Sequence, residues 1–438
     1  MIDEKVLGDA LAAYLPRQRW FAGDGSTTTA TVIQRTTVLR DEWPALLALV
    51  VEAGGSLWQV PVGLRDAGSM PAFLEGKADA VLGVVETERG PAIAYDAAVD
   101  AELALCLLEQ AMPGAGVERA RPLGADQSNT SIVFDERVLM KLYRRLAVGP
   151  NPDVEVTRGL AGAGFTHTTP PLGQWRQDGI DLAVVTEYLL GAVDGFQLAR
   201  TSLRDLYDAR VKPNEAGGDF GFEARRLGGI TAELHLAMAA AFGTSSADTE
   251  AWAADMDLHL TRVKVDGLDT AAIGEVYGRL RGASPGPAIR VHGDYHLGQV
   301  VRTDVGWYAL DFEGEPDRPL DERTRPSSAL RDVAGMIRSF HYAAEVALHD
   351  DHLEDDEARE LAVEWERRNV FAFLRGYNET EGIQVLLPPT ELDHAAVLTA
   401  FLLDKAVYEV GYEASHRPDW VGIPLSAVRC ILEEAQLS

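Results

Sequence analysis

Cysteine is scarce in this sequence, because Cys106 and Cys430 are the only two among 438 residues. They lie far apart, each in an apolar stretch with a helical pattern, which favours buried thiols in a reducing cytoplasm over a disulfide framework. Long apolar runs are lacking too, and none approaches the roughly 20 residues that a membrane-spanning helix needs. Residues 1–6 lack the basic region and apolar run of a signal peptide. We therefore expect a soluble cytoplasmic protein.

Positive charge is also in short supply, because 40 Lys and Arg stand against 68 Asp and Glu and give a formal net charge of −28. Such an excess of carboxylates argues against nucleic acid or an anionic membrane surface as the main partner. A single site can still oppose the overall sign, so a phosphate-bearing ligand stays compatible with the composition. The hydrophobic share of 46% is ordinary for a globular protein, and the length predicts two or three domains.

The apolar pattern changes along the chain. Residues 3–15 have a helical period, and residues 28–65 carry short apolar bursts between glycine-rich turns, which predict antiparallel strands. A second apolar helix is predicted over residues 96–110. A buried strand that starts at Leu182 leads into a glycine-punctuated connection, where we place a lobe boundary near residues 187–195. The pattern beyond that boundary is mostly helical.

The densest group of chemistry-bearing side chains lies between residues 291 and 316. A turn and a short apolar strand separate its two polar clusters, and strand ends with their adjoining loops commonly hold catalytic groups. The clusters contain His292, Asp294, His296, Gln299, Asp311, Glu313 and Glu315. We take this segment as the candidate active site.

The spacing within this segment suits phosphoryl transfer. Asp294 lies on a loop, Gln299 follows on the same loop, and Asp311 comes after a hairpin. Transfer of a phosphoryl group needs a base for the attacking hydroxyl and oxygen ligands for the Mg²⁺ that bridges the donor phosphates. A carboxamide and a carboxylate are ligands of that kind.

Three other interpretations concern the histidines. His292 and His296 are four apart, as zinc ligands on a helix are, but Gly293 stands where a metalloprotease has Glu, and no cysteine lies nearby. The run from Gly293 to His296 also fits a dinuclear metallophosphatase, whose further His, Asn and Asp clusters this chain does not supply. In a purely structural role, His292 would order the loop and leave Asp294 free for other work.

Two features upstream bear on phosphate binding. A polar corner at residues 128–131 precedes a predicted strand, and such a corner either presents backbone N–H groups to an anion or is a plain turn. Lys141 lies in an otherwise apolar strand, so its ammonium needs an anionic partner unless the strand is a solvent-exposed edge. Glu155, in the first turns of the next predicted helix, is the natural candidate for that partner.

The chain resembles a known family across nearly its whole length. The signature is His292-Gly293-Asp294-Tyr295-His296 with Gln299 and the run 311–316. It extends through residues 319–323 and 330–340, and it reappears at residues 17–21, 416–420 and 422–425. These segments are similar to those of actinobacterial maltokinases, which belong to the aminoglycoside-phosphotransferase-like, eukaryotic-kinase-like small-molecule kinases.

The resemblance implies an α+β, bilobal, eukaryotic-kinase-like fold with a sheet-rich N-terminal cap subdomain and a mostly helical C-terminal lobe. The implied domains are a cap at residues 1–95, an intermediate subdomain completing the N-lobe at residues 96–195, and a C-lobe at residues 196–438. The order of the upstream elements agrees, since a strand–turn–strand unit with Lys141, a helix with Glu155 and a hinge precede the catalytic loop.

The resemblance also implies roles for individual residues. Asp294 would be the catalytic base, and Gln299 and Asp311 would hold Mg²⁺ on the ATP phosphates. Lys141 would contact those phosphates as a second catalytic residue and pair with Glu155. The other implied nucleotide contacts are Ser128, Asn129, Thr130 and Ser131 in place of a glycine-rich loop, and Glu187, Tyr188 and Leu189 as the hinge for adenine.

A sugar acceptor presents hydroxyls and stacks on aromatic faces. The candidate contacts are Glu315, Asp321, Arg325, Tyr408, Tyr412, His416 and Trp420, each of which could instead be a core or rim residue. Two departures from the family pattern are Tyr295, where Leu is commoner, and Ala-Gly-Asp-Gly after Phe21, where relatives often have a Lys after the Gly.

The implied activity is ATP- and Mg²⁺-dependent phosphorylation of maltose at its anomeric hydroxyl, which gives maltose 1-phosphate for α-glucan (glycogen) biosynthesis. Trehalose synthase is an implied partner. Alternatives are a kinase of another sugar, of glucosamine or of an aminoglycoside, and a kinase-like binding protein without turnover. The last alternative predicts the loss of Lys141, Asp294 or Asp311, and all three are present.

Overall fold

The computed structural model describes residues 4–21, 31–68, 70–124, 128–315, 318–350, 352–353 and 355–437. The chain divides into two compact units, one formed by Met1–Glu155 with Thr169–Leu190 and the other by Val156–Thr168 with Gly191–Ser438. The first unit is rich in sheet and the second is mostly helical, which confirms the predicted α+β class. The predicted boundaries of three subdomains stay a prediction.

The first unit opens with a helix and an antiparallel sheet. The helix is α1 (Glu4–Tyr14), and the strands are β1 (Val32–Arg40), β2 (Ala45–Ala53), β3 (Ser56–Asp66), β4 (Val81–Thr87) and β5 (Gly90–Asp96). They lie in the order β1-β2-β3-β5-β4. The short apolar bursts of the sequence are therefore strands, as predicted.

A second antiparallel sheet follows in the same unit, in the order β10-β11-β8-β7-β6. Its strands are β6 (Ala120–Pro122), β7 (Asn129–Phe134), β8 (Val138–Tyr143), β10 (Gly173–Gln177) and β11 (Ile180–Glu187), and the helix α2 (Ala101–Ala111) precedes them. The short strand β9 (Arg145–Leu146) pairs with β3, and the helix α3 (Pro152–Gly162) is divided between the two units after Glu155. The predicted start of the second helix at residue 96 is wrong. The Asp100 carboxylate caps α2 by accepting the N–H of Glu102, and a 3₁₀ turn precedes it.

Strand β2 is a continuous apolar run because both of its faces are covered. Leu47 and Leu49 pack with Leu11 of α1 in one cluster. Leu46, on the opposite face, packs with Leu103 of α2 in another. The period-2 alternation of a strand thus separates two hydrophobic cores that share one sheet.

The aromatic and basic cluster at residues 17–21 also belongs to this unit. The Phe21 and Trp58 rings lie 4.8 Å apart, and the Arg144 guanidinium lies 4.8 Å from the centre of the Trp20 ring. Arg144 is buried and donates to Asp96 at 2.6 Å, so its charge is paired. The departure after Phe21 falls on residues 22–30, outside the described residues.

Besides residues 156–162 of α3, the second unit contains nine described helices and two small sheets of short strands. The helices after α3 are α4 (Gly195–Ala209), α5 (Gly221–Phe242), α6 (Thr249–Arg262), α7 (Thr270–Gly282), α8 (Leu320–Arg323), α9 (Leu330–Asp350), α10 (Asp356–Glu379), α11 (Glu391–His416) and α12 (Gly422–Leu437). The strands are β12 (Val193–Asp194), β13 (Thr244–Ser245), β14 (Ala288–Ile289), β15 (Val300–Arg302) and β16 (Trp307–Ala309).

Close helix packing in this unit depends on two glycines. A Cβ at Gly228 of α5 would lie 2.0 Å from the carbonyl oxygen of Phe373, and one at Gly376 of α10 would lie 1.9 Å from that of Arg225. Only glycine leaves room for backbones at this separation. The tight contact between α5 and α10 fixes the position of α5, a helix that packs against the candidate site described below.

The burial of the two cysteines and the apolar character of the helices can be compared with the expectations from the sequence. Cys106 and Cys430 are both free. The prediction that both are buried is wrong, because Cys430 is exposed on α12 and Cys106 on α2 is only half-buried. Within the described ranges, no helix combines the length and the apolar character required to cross a membrane.

Candidate active site

The loop that carries Asp294 is held from α9. The carboxylate of Asp332 accepts the backbone N–H groups of His292 at 2.7 Å and Gly293 at 2.9 Å. Gly335, one turn along α9, has no room for a side chain because a Cβ there would lie 2.5 Å from the carbonyl oxygen of Tyr295. The loop therefore lies directly on the helix, and its backbone has little freedom near Asp294.

Asp332 is itself held by a buried chain of hydrogen bonds. Its carboxylate lies 3.2 Å from Nε2 of His235 on α5, and Nδ1 of His235 lies 2.8 Å from the Tyr377 hydroxyl on α10. Burial raises the pKa of Asp332, but His235, His292 and the backbone N–H of Gly293 outweigh it and hold that pKa below its ordinary value. The sequence signal for this residue, an Asp within an apolar helix, does not reveal its partners.

Both histidines of the signature order the loop. His292 Nε2 lies 2.9 Å from the carbonyl oxygen of Leu310, so this nitrogen carries the proton, because a carbonyl only accepts. His296 Nδ1 accepts the N–H of Gly298 at 3.1 Å, so its proton is on Nε2, which lies 3.8 Å from Asp294 Oδ2. These contacts favour the loop-ordering interpretation over zinc ligation.

Tyr295, the departure from the family pattern, points into the core. Its side chain is buried, and its hydroxyl lies 2.9 Å from Thr231 Oγ1 on α5. A buried phenol needs such a partner, and Thr231 supplies it. The change beside Asp294 is thus accommodated by α5.

A hairpin brings Gln299 and Asp311 to the same end of a two-stranded ladder. Val300 in β15 pairs with Ala309 in β16, and the N–H of Leu310 donates to the Gln299 carbonyl at 2.9 Å. Asp311 follows with a φ of 60°, a left-handed conformation that is uncommon for a residue with a side chain. A carboxamide and a carboxylate so placed offer hard oxygen donors that fit Mg²⁺.

The Asp294 carboxylate has a partner that sequence reasoning missed. Lys405 of α11 donates to Asp294 Oδ1 at 3.1 Å and to Glu315 Oε1 at 2.7 Å. Burial raises the pKa of Asp294, but Lys405 and His296 outweigh it and hold that pKa well below its ordinary value. A lysine inside the apolar sequence of α11 indicates that the lysine has a buried anionic partner. The sequence does not show which residue that partner is.

Glu315 connects this pair to further buried charges. Its carboxylate is paired with Arg318 and lies 3.5 Å from Arg331. Arg318 in turn pairs with Glu322 at 2.5 Å and lies 3.4 Å from Asp404. Of the seven acceptor candidates, Glu315 is therefore the one that the structure links to Asp294 through a shared cation.

Three other acceptor candidates, Tyr408, Tyr412 and His416, lie on α11 beyond Lys405, and Trp420 lies in the 3₁₀ turn after that helix. The Lys405 ammonium lies 4.8 Å from the centre of the Tyr408 ring. The Tyr408 and Tyr412 rings are stacked with centroids 6.4 Å apart, and Tyr412 and His416 are stacked at 4.3 Å. Arg417 lies 5.2 Å from the centre of the Trp420 ring and 5.9 Å from that of Tyr412. The result is an aromatic row that begins beside the Asp294–Lys405 pair.

The remaining two acceptor candidates are not part of this row. Arg325 is exposed and pairs with Asp255 of α6 at 2.7 Å. Asp321 is exposed on the short helix α8. A surface ion pair such as that of Arg325 contributes little free energy.

The nucleotide candidates lie in the first unit. Lys141 in β8 is paired with Asp153 of α3 at 3.3 Å, a partner that the sequence interpretation did not name. Its pairing with Glu155 stays a prediction. At the predicted hinge, the N–H of Tyr188 donates to the Arg137 carbonyl at 2.9 Å, while Glu187 ends β11 and Leu189 follows it.

The predicted corner at residues 128–131 is placed differently by the structure. Only Ser128 precedes the strand, because Asn129, Thr130 and Ser131 are the first residues of β7. The Asn129 side chain is buried, and Thr130 Oγ1 accepts from Arg144 at 2.8 Å. Hairpin pairing with β8 extends the strand through polar residues that the sequence pattern assigned to a turn. Residues 125–127 lie outside the described residues.

Comparison with known proteins identifies relatives. Residues 14–100 match the family described as the maltokinase N-terminal cap domain. A glucosamine kinase of Streptacidiphilus jiangxiensis is 29% identical over 407 residues, which cover 89% of this chain and 89% of that protein. A glucosamine kinase of Mycolicibacterium smegmatis is 30% identical over 335 residues, which cover 72% of this chain and 80% of that protein.

The fold is similar to that of a solved glucosamine kinase in complex with glucosamine, ADP and inorganic phosphate. The TM-score is 0.65, with 24% sequence identity, and the match covers 97% of this chain and 99% of that chain. This similarity confirms the kinase-like architecture. The chain therefore belongs to the family of maltokinase-like sugar kinases and is a phosphotransferase that uses an alcohol group as acceptor.

Proposed function

We propose that this sugar kinase uses ATP and Mg²⁺ to phosphorylate maltose at its anomeric hydroxyl. The observation that supports the acceptor is the aromatic row of α11, which starts beside Asp294 at Lys405 and Tyr408. A pyranose ring presents an apolar face that packs on aromatic side chains. A row of several rings suits a disaccharide better than a single sugar ring.

Asp294 would accept a hydrogen bond from the acceptor hydroxyl and direct its oxygen at the γ-phosphoryl group. Because its pKa is held low, the carboxylate is a weak base before the reaction. A largely dissociative transfer does not need early deprotonation. The acceptor O–P bond forms as the P–O bond to ADP breaks, and the hydroxyl proton passes to Asp294 late, when the bridging oxygen has become acidic.

Gln299 and Asp311 would hold Mg²⁺, which neutralises charge on the donor phosphates when bound. Lys141 would contact the same phosphates, as would Ser128, Asn129, Thr130 and Ser131. The backbone groups of the predicted hinge, Glu187, Tyr188 and Leu189, would bind adenine. Because the Tyr188 N–H is already bonded to Arg137, the hinge would rely on the Glu187 carbonyl and the Leu189 N–H. The ADP complex of the solved relative supports ATP as donor.

Charge at the acceptor site also favours a neutral sugar. Lys405 is bonded to both Asp294 and Glu315, and Arg318 and Arg331 add positive charge behind Glu315. An ammonium on the substrate would compete with Lys405 for the oxygens of these two carboxylates. The match to the maltokinase cap domain supports the same choice. The product, maltose 1-phosphate, would supply α-glucan (glycogen) assembly, with trehalose synthase as a partner.

Glucosamine is the second candidate acceptor. The two curated relatives are both named glucosamine kinase, and together their matches cover most of this chain. At about 30% identity the fold and the reaction type persist while acceptor contacts can change, since specificity depends on a few side chains.

The test is ADP release measured with maltose, glucose, glucosamine, trehalose and kanamycin as acceptors. We expect the highest kcat/KM with maltose and a rate near background for Asp294→Asn. A higher kcat/KM with glucosamine would replace maltose by the second candidate. Full activity of Asp294→Asn would contradict the mechanism whichever sugar is used.

A further inference from the structure

We infer that Lys405 is a positioning residue, which holds the Asp294 carboxylate in the orientation needed to receive the acceptor hydroxyl. The inference rests on the proposed role of Asp294 and on no particular sugar. Lys405 belongs to α11, and the two residues are 111 positions apart in the sequence. It does not transfer a phosphoryl group or a proton itself.

The geometry fixes the ammonium from two sides. Lys405 Nζ donates to Asp294 Oδ1 at 3.1 Å and to Glu315 Oε1 at 2.7 Å, and it faces the Tyr408 ring at 4.8 Å. The side chains of Lys405 and Asp294 are each 17% exposed, and that of Glu315 is 3% exposed. Charge-assisted hydrogen bonds in so dry a setting hold a carboxylate in one rotamer.

Glu315 has cations around it besides Lys405. It is also paired with Arg318, which it shares with Glu322 and Asp404, and it lies 3.5 Å from Arg331. Asp294, in contrast, faces Lys405 and His296, and Nε2 of His296 is 3.8 Å away. Removal of the ammonium therefore leaves Glu315 with two guanidinium groups nearby, whereas Asp294 keeps only the more distant His296 among these partners.

These contacts give the two carboxylate oxygens of Asp294 different roles. Oδ1 receives the ammonium, and Oδ2 is the oxygen nearer His296. With Oδ1 fixed, the second oxygen has a defined direction from which to accept the substrate O–H. Lys405 and His296 together oppose the effect of burial on the pKa of Asp294.

The decisive experiment compares Lys405→Met and Lys405→Arg with a matched control, Lys264→Met, on an exposed residue. The assay uses whichever acceptor the parent enzyme turns over best and records kcat against pH. We expect Lys405→Met to lower kcat by about 100-fold, a magnitude typical of impaired general-base groups. The acidic limb of its profile should move up by about one to three pH units, because the strongest group that opposes the effect of burial on the Asp294 pKa is then lost. Lys405→Arg should restore part of kcat, and KM for ATP should stay within about twofold throughout.

A purely structural lysine would lower the melting temperature and reduce kcat equally at every pH, and that result would overturn the inference. So would an unchanged kcat in Lys405→Met. Titration of Asp294 by carboxyl ¹³C NMR, assigned with Asp294→Asn, needs no acceptor. It separates failure of this inference from failure of the proposed function. An Asp294 pKa that is the same in the parent and in Lys405→Met contradicts the inference even if no sugar is turned over.

Discussion

Each unit of this protein holds a lysine against a carboxylate, and the two pairs differ in how far apart their members lie in the sequence. Lys141 and Asp153 are twelve positions apart, on a strand and the helix that follows it. Lys405 and Asp294 are 111 positions apart, on a helix and a distant loop. In the first pair the lysine is the proposed contact with the ligand, whereas in the second pair the carboxylate is that contact. Two ion pairs of the same kind thus have opposite chemical roles.

The comparison also shows how each pair is supported. The side chains of Lys141 and Asp153 are 13% and 10% exposed, with Tyr143 nearby. The Lys405 ammonium is instead shared between two carboxylates, one of which has two further cations. A shared ammonium constrains both partners at once, as a positioned carboxylate requires.

The largest effect is expected at the carboxylate of the second pair. Asp294→Asn should lower kcat by about 100- to 10,000-fold, because the amide cannot accept the hydroxyl proton. Steady-state ADP release is the measurement, and Asp304→Asn, on an exposed residue of the β15–β16 turn, is the control. If the control lost as much activity, the effect would not be specific to Asp294.

The next effect concerns the helix that holds the catalytic loop. Asp332→Asn should lower the free energy of unfolding by about 3 kcal/mol, because it leaves His235 and two loop N–H groups without a carboxylate. Urea denaturation at pH 7 measures this loss. A change under 0.5 kcal/mol would mean that the loop is held by other contacts.

The same carboxylate predicts a dependence of stability on pH. The pKa of Asp332 is lower in the folded than in the unfolded chain, so its contribution is complete above the unfolded value of about 3.9. It is lost as the pH falls through the folded value. The difference in unfolding free energy between the parent and Asp332→Asn should therefore shrink below about pH 4. A constant difference down to pH 2 would contradict the assigned pKa direction.

A smaller effect is expected at the lysine of the first pair. Lys141→Met should lower kcat/KM for ATP by about 13- to 160-fold, since one charge-assisted hydrogen bond to phosphate contributes about 1.5–3 kcal/mol. The acidic limb of the pH profile should not move, in contrast to Lys405→Met. A shift of that limb would remove the distinction between the two pairs.

The smallest effect is expected along the aromatic row. Tyr412→Ala should raise KM for maltose by about 2- to 13-fold, which corresponds to the about 0.5–1.5 kcal/mol of an aromatic contact. KM for ATP should be unchanged. Phe371→Ala, which removes an exposed ring of α10, is the control. An unchanged KM for maltose would place the acceptor away from Tyr412.

Local patterns predicted what depends on neighbours in sequence. The hairpin that carries Lys141, the helix that begins with Asp153 and Glu155, and the ladder between Gln299 and Asp311 all follow from short-range periodicity and turn residues. The corner at residues 128–131 was predicted less well. Whether a polar residue continues a strand depends on the strand beside it, and β8 continues β7 through Asn129.

By itself, the sequence determined the α+β class, the order of the kinase elements and the segment that carries Asp294. These features depend on hydrophobic periodicity and on contiguous motifs, which can be read without the tertiary structure. Only the tertiary structure decided that Lys405 and Glu315 join Asp294, that Asp332 holds the loop, and that Tyr295 points to Thr231. These partners are tens of residues or more apart. A buried charge or hydroxyl indicates that it needs a partner. Which residue becomes that partner depends on how the helices pack.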